Sequence, residues 1–366
     1  MRLLSLSTFH EHCGVATYTE ALHGALADLG VTTDVVSPHL PSPMDGAWGE
    51  QPPRLWSREH ATLGEAREVG RYIRRTRPDV VHVQDNLGLV SARFLAGVTA
   101  SSVTAGVPLV ATLHGRRGRG LRRGRQFWSH VAAYGAAPLV VHNEAHRREL
   151  FPRPRVVVIP HGIATPATPD VAAARAALGI APDEWVLAHF GFLHPHKGVE
   201  LVLEALAALT RGGRRVRFLV CGAVPPDGDG PRYLAHLRRR VAELGLEREV
   251  LLDGKFLAPA ELSGRLAAAD WILLNYQGGG EQGTSGAVRT ALESGRPTAV
   301  SEAAIFDDVR DAVHTMHGGL PSALDELIRR PELATEVAAR ARAHCQDGSW
   351  AAVARRHLSL YRSLVR

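Results

Sequence analysis

Lysine is nearly missing from this chain. Of 43 Lys and Arg residues in 366, only Lys197 and Lys255 are lysine. Arginine therefore fills the cation positions as a rule, and Lys197 stands out in HPHKGVE (194–200), between two histidines and a glycine. Either it is a leftover of composition, or its position needs a compact ammonium in place of a planar fork. Cysteine is scarce as well. Cys13, Cys221 and Cys345 are far apart and odd in number, which excludes a disulfide framework and points to a reducing compartment. No apolar run approaches the roughly 20 residues of a membrane span, and MRLLSLSTFHEHC lacks the apolar core of a signal peptide, so a cytoplasmic protein is expected. A net charge of +6 and a pI near 9.6 suit an anionic partner: phosphate, a membrane surface or nucleic acid.

What is present is an alternation. RLLSLST reads as a strand and GVATYTEALHGALADLG as a helix closed by Gly30. The strands VTTDVV, PDVVHV, PLVATL and PLVV follow, with helices near 58–77, 88–104 and 125–135. Residues 160–184, rich in Pro and Ala, read as a connection. The pattern then restarts with WVLAHF, RVRFLVCG, EVLLDG, DWILLN and RPTAVS, separated by helices near 198–211, 231–244, 259–268 and 286–294. Strands separated by helices predict parallel sheets. The length suits two domains of about 150–200 residues. We therefore expect an α/β protein with two Rossmann-like, doubly wound domains facing each other across a cleft. One would span 1–165 and the other 166–349, with a last helix at 350–366 completing the first. Ligands of such sheets bind beyond the carboxyl ends of the strands. That rule marks 9–15, 84–88, 113–118, 191–198, 222–228, 254–257 and 275–286.

Six motifs come in order: HCGVATYTEAL, PDVVHV, LVATLHG, VIPHGI, FGFLHPHKGVELVLEAL and SGAVRTALESGRPTAVS. Together, over about residues 3–310, they resemble the family-4 retaining glycosyltransferases of the GT-B fold. The likeness is in particular to a bacterial subgroup with a CGIAT-like first loop and a GF…KG second-domain loop. The resemblance implies a nucleotide-sugar donor held mainly by the second domain, an acceptor held mainly by the first, and transfer without a metal or other cofactor. Lys197 matches the lysine of the KG loop, which contacts the donor diphosphate. A fixed cation there stabilises the charge that the nucleoside diphosphate gains on leaving. His114 matches the histidine that lies against the donor sugar. Gly14 stands at a strand-to-helix turn, where backbone can approach a phosphate or sugar and the helix start favours negative charge. Each has a plainer reading, as a helix-start decoration, a packed histidine or a tight turn.

The chain departs from the family at NYQGGGEQGTSGAVRTALESGRP (275–297). The family's two glutamates fall on Gln282 and Thr290, so contact with the ribose must differ. Glu281 is one position away and could reach a sugar hydroxyl. Thr284, Ser285 and Gly286 keep what phosphates need: small residues and free N–H groups opening a helix. Phe192 replaces the arginine that precedes the KG lysine. His194 with His196, and His10, His12 and Cys13, lack the third or fourth partner of a metal site, and no metal is expected.

HGRRGRGLRRGRQF (114–127) carries six arginines between 116 and 125. It reads as a cationic loop in which Arg116, Arg117, Arg122 and Arg123 hold an anionic acceptor or touch an anionic membrane from the cytoplasmic side. The alternative is a solvated connection. Without an aromatic platform beside the charge, no nucleic acid is expected. The functional expectation is a retaining, metal-independent glycosyltransferase using a nucleotide-diphosphate sugar. A nucleotide-sugar epimerase of the same fold, or a non-catalytic sugar-nucleotide-binding partner protein, remains open.

Overall fold

The structure is a computed structural model. It describes all residues except 12, 40–48, 59, 87–89, 115–120, 167, 226–229, 279–284 and 366, and only the backbone of 121–123. The chain forms two compact units. One holds residues 1–162 and the chain end from Gly348; the other holds the described residues from Ile163 to Asp347.

The first unit is a sheet of seven strands: β1 (Arg2–Leu6), β2 (Thr32–Pro38), β3 (Arg54–Trp56), β4 (Val80–Asp85), β5 (Leu109–Leu113), β6 (Leu139–Val141) and β7 (Val156–Val158). Their order is β3-β2-β1-β4-β5-β6-β7, and every pairing is parallel. A parallel sheet buried on both faces needs apolar residues at consecutive positions. Accordingly, Val81 and Val83 join Leu4, Phe94, Phe127 and Tyr134 on one face, while Leu3, Val80, Val110 and Val140 join Tyr18 and Leu22 on the other. The last helix, Trp350–Val365, closes this second face with Val353, Ala354, Leu358 and Tyr361. Its Tyr361 hydroxyl lies 2.7 Å from His82 Nδ1. Gly162 must be a glycine for the same docking, since a Cβ there would stand 2.3 Å from the Trp350 ring.

The second unit contains β8 (Trp185–Phe190), β9 (Val216–Cys221), β10 (Val250–Leu252), β11 (Trp271–Leu274), β12 (Thr298–Val300) and β13 (His314–Thr315), in the order β10-β9-β8-β11-β12-β13 and again all parallel. Both units are Rossmann-like. In each, the winding reverses beside the first strand: between β1 and β4, and between β8 and β11.

The sequence pattern missed β3, β7 and β13. All are strands of two or three residues, too short to show a period. The Arg-rich stretch is corrected in part. From Leu121 to Ala133 the chain is helical, where a loop was expected as far as 127. Buried Gly124, Phe127, His130, Val131 and Tyr134 recur at helical spacing and anchor it in the core, which outweighs the two arginines in its first turn. Among the described residues no helix is long and apolar enough to cross a membrane.

Several imidazoles sit in or beside these cores. Burial pushes His23 and His189 down to about 4 and His357 to about 3, and holds His82 and His114 well below the ordinary histidine range. Such groups take up protons in the unfolded chain first. Their contribution to stability is therefore complete above about pH 6.5 and falls below it, by about 1.4 kcal/mol per pH unit for each group until its folded value is reached. The unfolding temperature is expected to drop steeply as the pH falls from about 6.5 to about 4.5. A flat profile over that range would contradict the neutral, buried state of these rings.

Candidate active site

The second unit gathers most of the expected donor residues at its winding reversal. Lys197 follows β8; Asn275, Tyr276 and Ser285 follow β11. The two connections are held together by backbone. Gly198 has φ +67°, and a Cβ on it would lie 2.2 Å from the Asn275 carbonyl oxygen. The Gln277 N–H donates to the His196 carbonyl at 2.6 Å.

This contact aims the lysine. Lys197 ends a single 3₁₀ turn, Pro195–Lys197, and is buried. Its Nζ stands 3.7 Å from the centroid of the Tyr276 ring. Tyr276 is buried too, packs on Phe306 at 4.8 Å between centroids, and places its hydroxyl 3.2 Å from Ser285 Oγ. Ser285 caps the helix Gly286–Glu293, its Oγ accepting from the Val288 N–H at 3.3 Å. Arg289 braces the cap from below: Nη1 donates to the Ser285 carbonyl at 3.0 Å, and Nη2 pairs with Asp308. Gly286 is exposed, and among the described residues a Cβ on it would meet nothing within 4 Å. A cation beside a helix N-terminus suits an anion.

Behind the lysine, His189 Nδ1 donates to the Leu273 carbonyl at 3.1 Å. Burial and the Lys197 charge both disfavour a second cation there. Thr290 lies one turn into the helix, its Oγ1 3.5 Å from the Gly286 carbonyl. The helix's own carboxylate, Glu293, accepts from the Ala164 N–H at 2.7 Å, and burial raises its pKa. Glu281, Gln282 and Thr284 lie outside the described residues. His194 and His196 stack with centroids 5.2 Å apart. Among the described residues, no group of three or more His, Cys, Asp or Glu side chains could hold a metal ion.

The first unit carries the remaining expected residues. Gly14 opens the helix Gly14–Ala27 behind Cys13, which offers no side-chain cap, and a Cβ on Gly14 would meet nothing within 4 Å. His114, just past β5, has both ring nitrogens engaged: Nε2 lies 2.8 Å from Gln84 Oε1, and Nδ1 lies 3.2 Å from His142 Nε2. Its ring meets Tyr18 edge-on at 4.7 Å. Burial, then the neighbouring imidazoles, hold it neutral. A substrate hydroxyl reaches either nitrogen only by displacing Gln84 or His142. Arg116 and Arg117 lie outside the described residues. Arg122 and Arg123 stand in the first turn of the helix Leu121–Ala133, and their side chains are not described. Sequence reasoning did not single out Tyr276, Arg289, Gln84 or His142. Of these, Gln84 and Tyr276 lay in stretches that the strand-end rule marks, 84–88 and 275–286, without being named; Arg289 and His142 carry no local signal.

The family model Glycosyltransferase Family 4 matches residues 13–166, and Glycosyl transferases group 1 matches residues 184–338. A D-inositol 3-phosphate glycosyltransferase of Kineococcus radiotolerans is 31% identical over 268 residues, 66% of this chain and 60% of that protein. One from Saccharomonospora viridis is 31% identical over 208 residues, 53% of this chain and 46% of that protein. The chain thus spans about half the length of the curated relatives it matches. Among solved structures, sucrose-phosphate synthase of Thermosynechococcus elongatus superposes with a TM-score of 0.77 at 18% identity, covering 100% of this chain and 99% of that one. HepE from Anabaena in complex with UDP-glucose gives 0.76 at 18%, covering 99% and 100%. These likenesses establish a shared GT-B fold.

The site geometry makes one substitution informative before any substrate is known. Gly198→Ala places a side chain in a left-handed backbone and against a carbonyl. Strain of about 1–3 kcal/mol is expected from the backbone alone. The variant should unfold several degrees lower, read by calorimetry. An unchanged melting temperature would show that the two connections do not approach as described.

Proposed function

We propose, from the premise that the chain belongs to the family-4 glycosyltransferases of the GT-B fold, that it moves a sugar from a nucleotide-diphosphate sugar to an anionic acceptor with retention of configuration. The observation that carries this reading is the assembly of Lys197, Tyr276 and the Ser285-capped helix start at the β8–β11 reversal.

Breaking the glycosidic bond leaves an added negative charge on the nucleoside diphosphate. The Lys197 ammonium offsets that charge, and the first N–H groups of the helix Gly286–Glu293 receive the phosphate oxygens. The proposed reaction draws on no resident cofactor. In a front-side course the leaving phosphate itself takes the acceptor's proton, so few side chains are needed beyond those that orient the sugar. His114, Gly14 and Glu281 are proposed for that orientation, with Gln282, Thr284 and Thr290 toward the donor.

The acceptor class rests on two supports. The relatives from Kineococcus and Saccharomonospora are named for D-inositol 3-phosphate, a phosphorylated acceptor. This chain clusters Arg116, Arg117, Arg122 and Arg123 just after His114. Uridine nucleotides are the first donors to try, because HepE shares the fold and was crystallised with UDP-glucose. Three free thiols are consistent with the cytoplasm as the working compartment, and the same arginines would allow contact with an anionic membrane.

Labelled nucleotide sugars separate the alternatives. A transferase turns over donor in an acceptor-dependent way, an epimerase without acceptor, and a binding protein not at all. Lys197→Ala should lower turnover at least 100-fold, about 2.7 kcal/mol of transition-state stabilisation, and Lys197→Arg should restore it only in part. Full activity in Lys197→Ala would remove the assignment. For the acceptor, replacing Arg116, Arg117, Arg122 and Arg123 by Ser should raise the acceptor KM with little effect on donor affinity, and salt should act likewise on the native protein. Native kinetics across salt in the four-Ser variant would leave the arginines without a role in binding.

A further inference from the structure

We propose that Tyr276 is a positioning residue for the donor diphosphate: its ring face holds the Lys197 ammonium in place, and its hydroxyl ties that cation to the Ser285 cap. The proposal rests on the reading of Lys197 as the cation beside the leaving group.

A lysine that meets a diphosphate needs its flexible stem held. An aromatic face does this, because the ring quadrupole attracts the ammonium without neutralising it. Lys197 Nζ lies 3.7 Å from the Tyr276 ring centroid, and both residues are buried.

The ring is itself fixed. Phe306 packs on it at 4.8 Å, and its hydroxyl is 3.2 Å from Ser285 Oγ. That oxygen already accepts from the Val288 N–H. If the tyrosine donates, both lone pairs of Ser285 Oγ are occupied, and the serine proton is directed away from them. It can then be offered to a phosphate oxygen at the helix start. Tyr276 thereby sets the lysine and the serine in one geometry, although they come from different strand ends.

Calorimetric titration with UDP tests this in the native chain, Tyr276→Phe, Tyr276→Leu, Lys197→Ala, and the double variant. Tyr276→Leu should weaken UDP about tenfold, the scale of a desolvated cation–ring contact, and that loss should vanish in the Lys197→Ala background. Tyr276→Phe keeps the ring face and should stay within about threefold of the native affinity. Phenylalanine analogues with increasing ring fluorination at 276 should weaken UDP stepwise, because fluorine drains the ring face. This series decides the matter if Tyr276→Leu does not fold. A Tyr276→Leu loss that persists without Lys197, a Tyr276→Phe loss equal to that of Tyr276→Leu, or a flat fluorine series would overturn the positioning role while leaving Lys197 in place. Unchanged UDP affinity in Lys197→Ala would overturn the underlying reading and this proposal with it.

Discussion

The second unit turns on one close approach. The backbone at Gly198 passes so near the Asn275 carbonyl that a Cβ would sit 2.2 Å away. Only a residue without a side chain, and at ease with φ +67°, can stand there. That approach docks the connection after β8 against the connection after β11, as the Gln277–His196 backbone bond does beside it. The parallel sheet brings the strand ends together; the glycine brings the loops into contact. Lys197 then falls on the Tyr276 ring, and Tyr276 reaches the cap of the following helix.

Charge is distributed around this contact in a consistent way. The buried guanidinium of Arg289 is matched by Asp308, so it adds little net field at the helix start. His189, directly behind the lysine, is kept neutral by its burial. The Lys197 ammonium rests on an aromatic face whose hydroxyl meets the cap of the following helix. In the first unit the corresponding feature is a chain of packed rings. His114 leans on Gln84 and His142, and Tyr18 and His357 continue the chain toward the last helix. That helix is therefore part of the platform under His114, although it is the most distant segment in sequence.

The alternation of strands and helices was legible because parallel strands buried on both faces leave dense apolar runs, as in VVHV and WILL. Lys197 was legible because lysine is rare in this composition, and Ser285–Gly286 because a small polar residue before a helical period is a cap. Tyr276 was not. Its role depends on two partners, one far upstream and one across a loop, and nothing beside it in sequence marks the ring as facing a cation. Gln84 and His142 were hidden similarly, since each is an ordinary strand-end residue until neighbouring strands align them with His114. The edge strands β3, β7 and β13 have two or three residues and display no period; β6, β10 and β12, equally short, were read from their apolar runs. Only the start of the helix Leu121–Ala133 was obscured by its arginines; Phe127, Val131 and Tyr134 carried the spacing behind the helix expected near 125–135.

The central claim is that the second unit is built around a diphosphate. Calorimetric titration of the native protein with UDP and with uridine tests it most directly. If the Lys197 ammonium and the helix start receive the phosphates, the two phosphates supply most of the affinity, and UDP binds at least about 100-fold more tightly than uridine, near 2.7 kcal/mol. Equal affinities for the two would contradict the account.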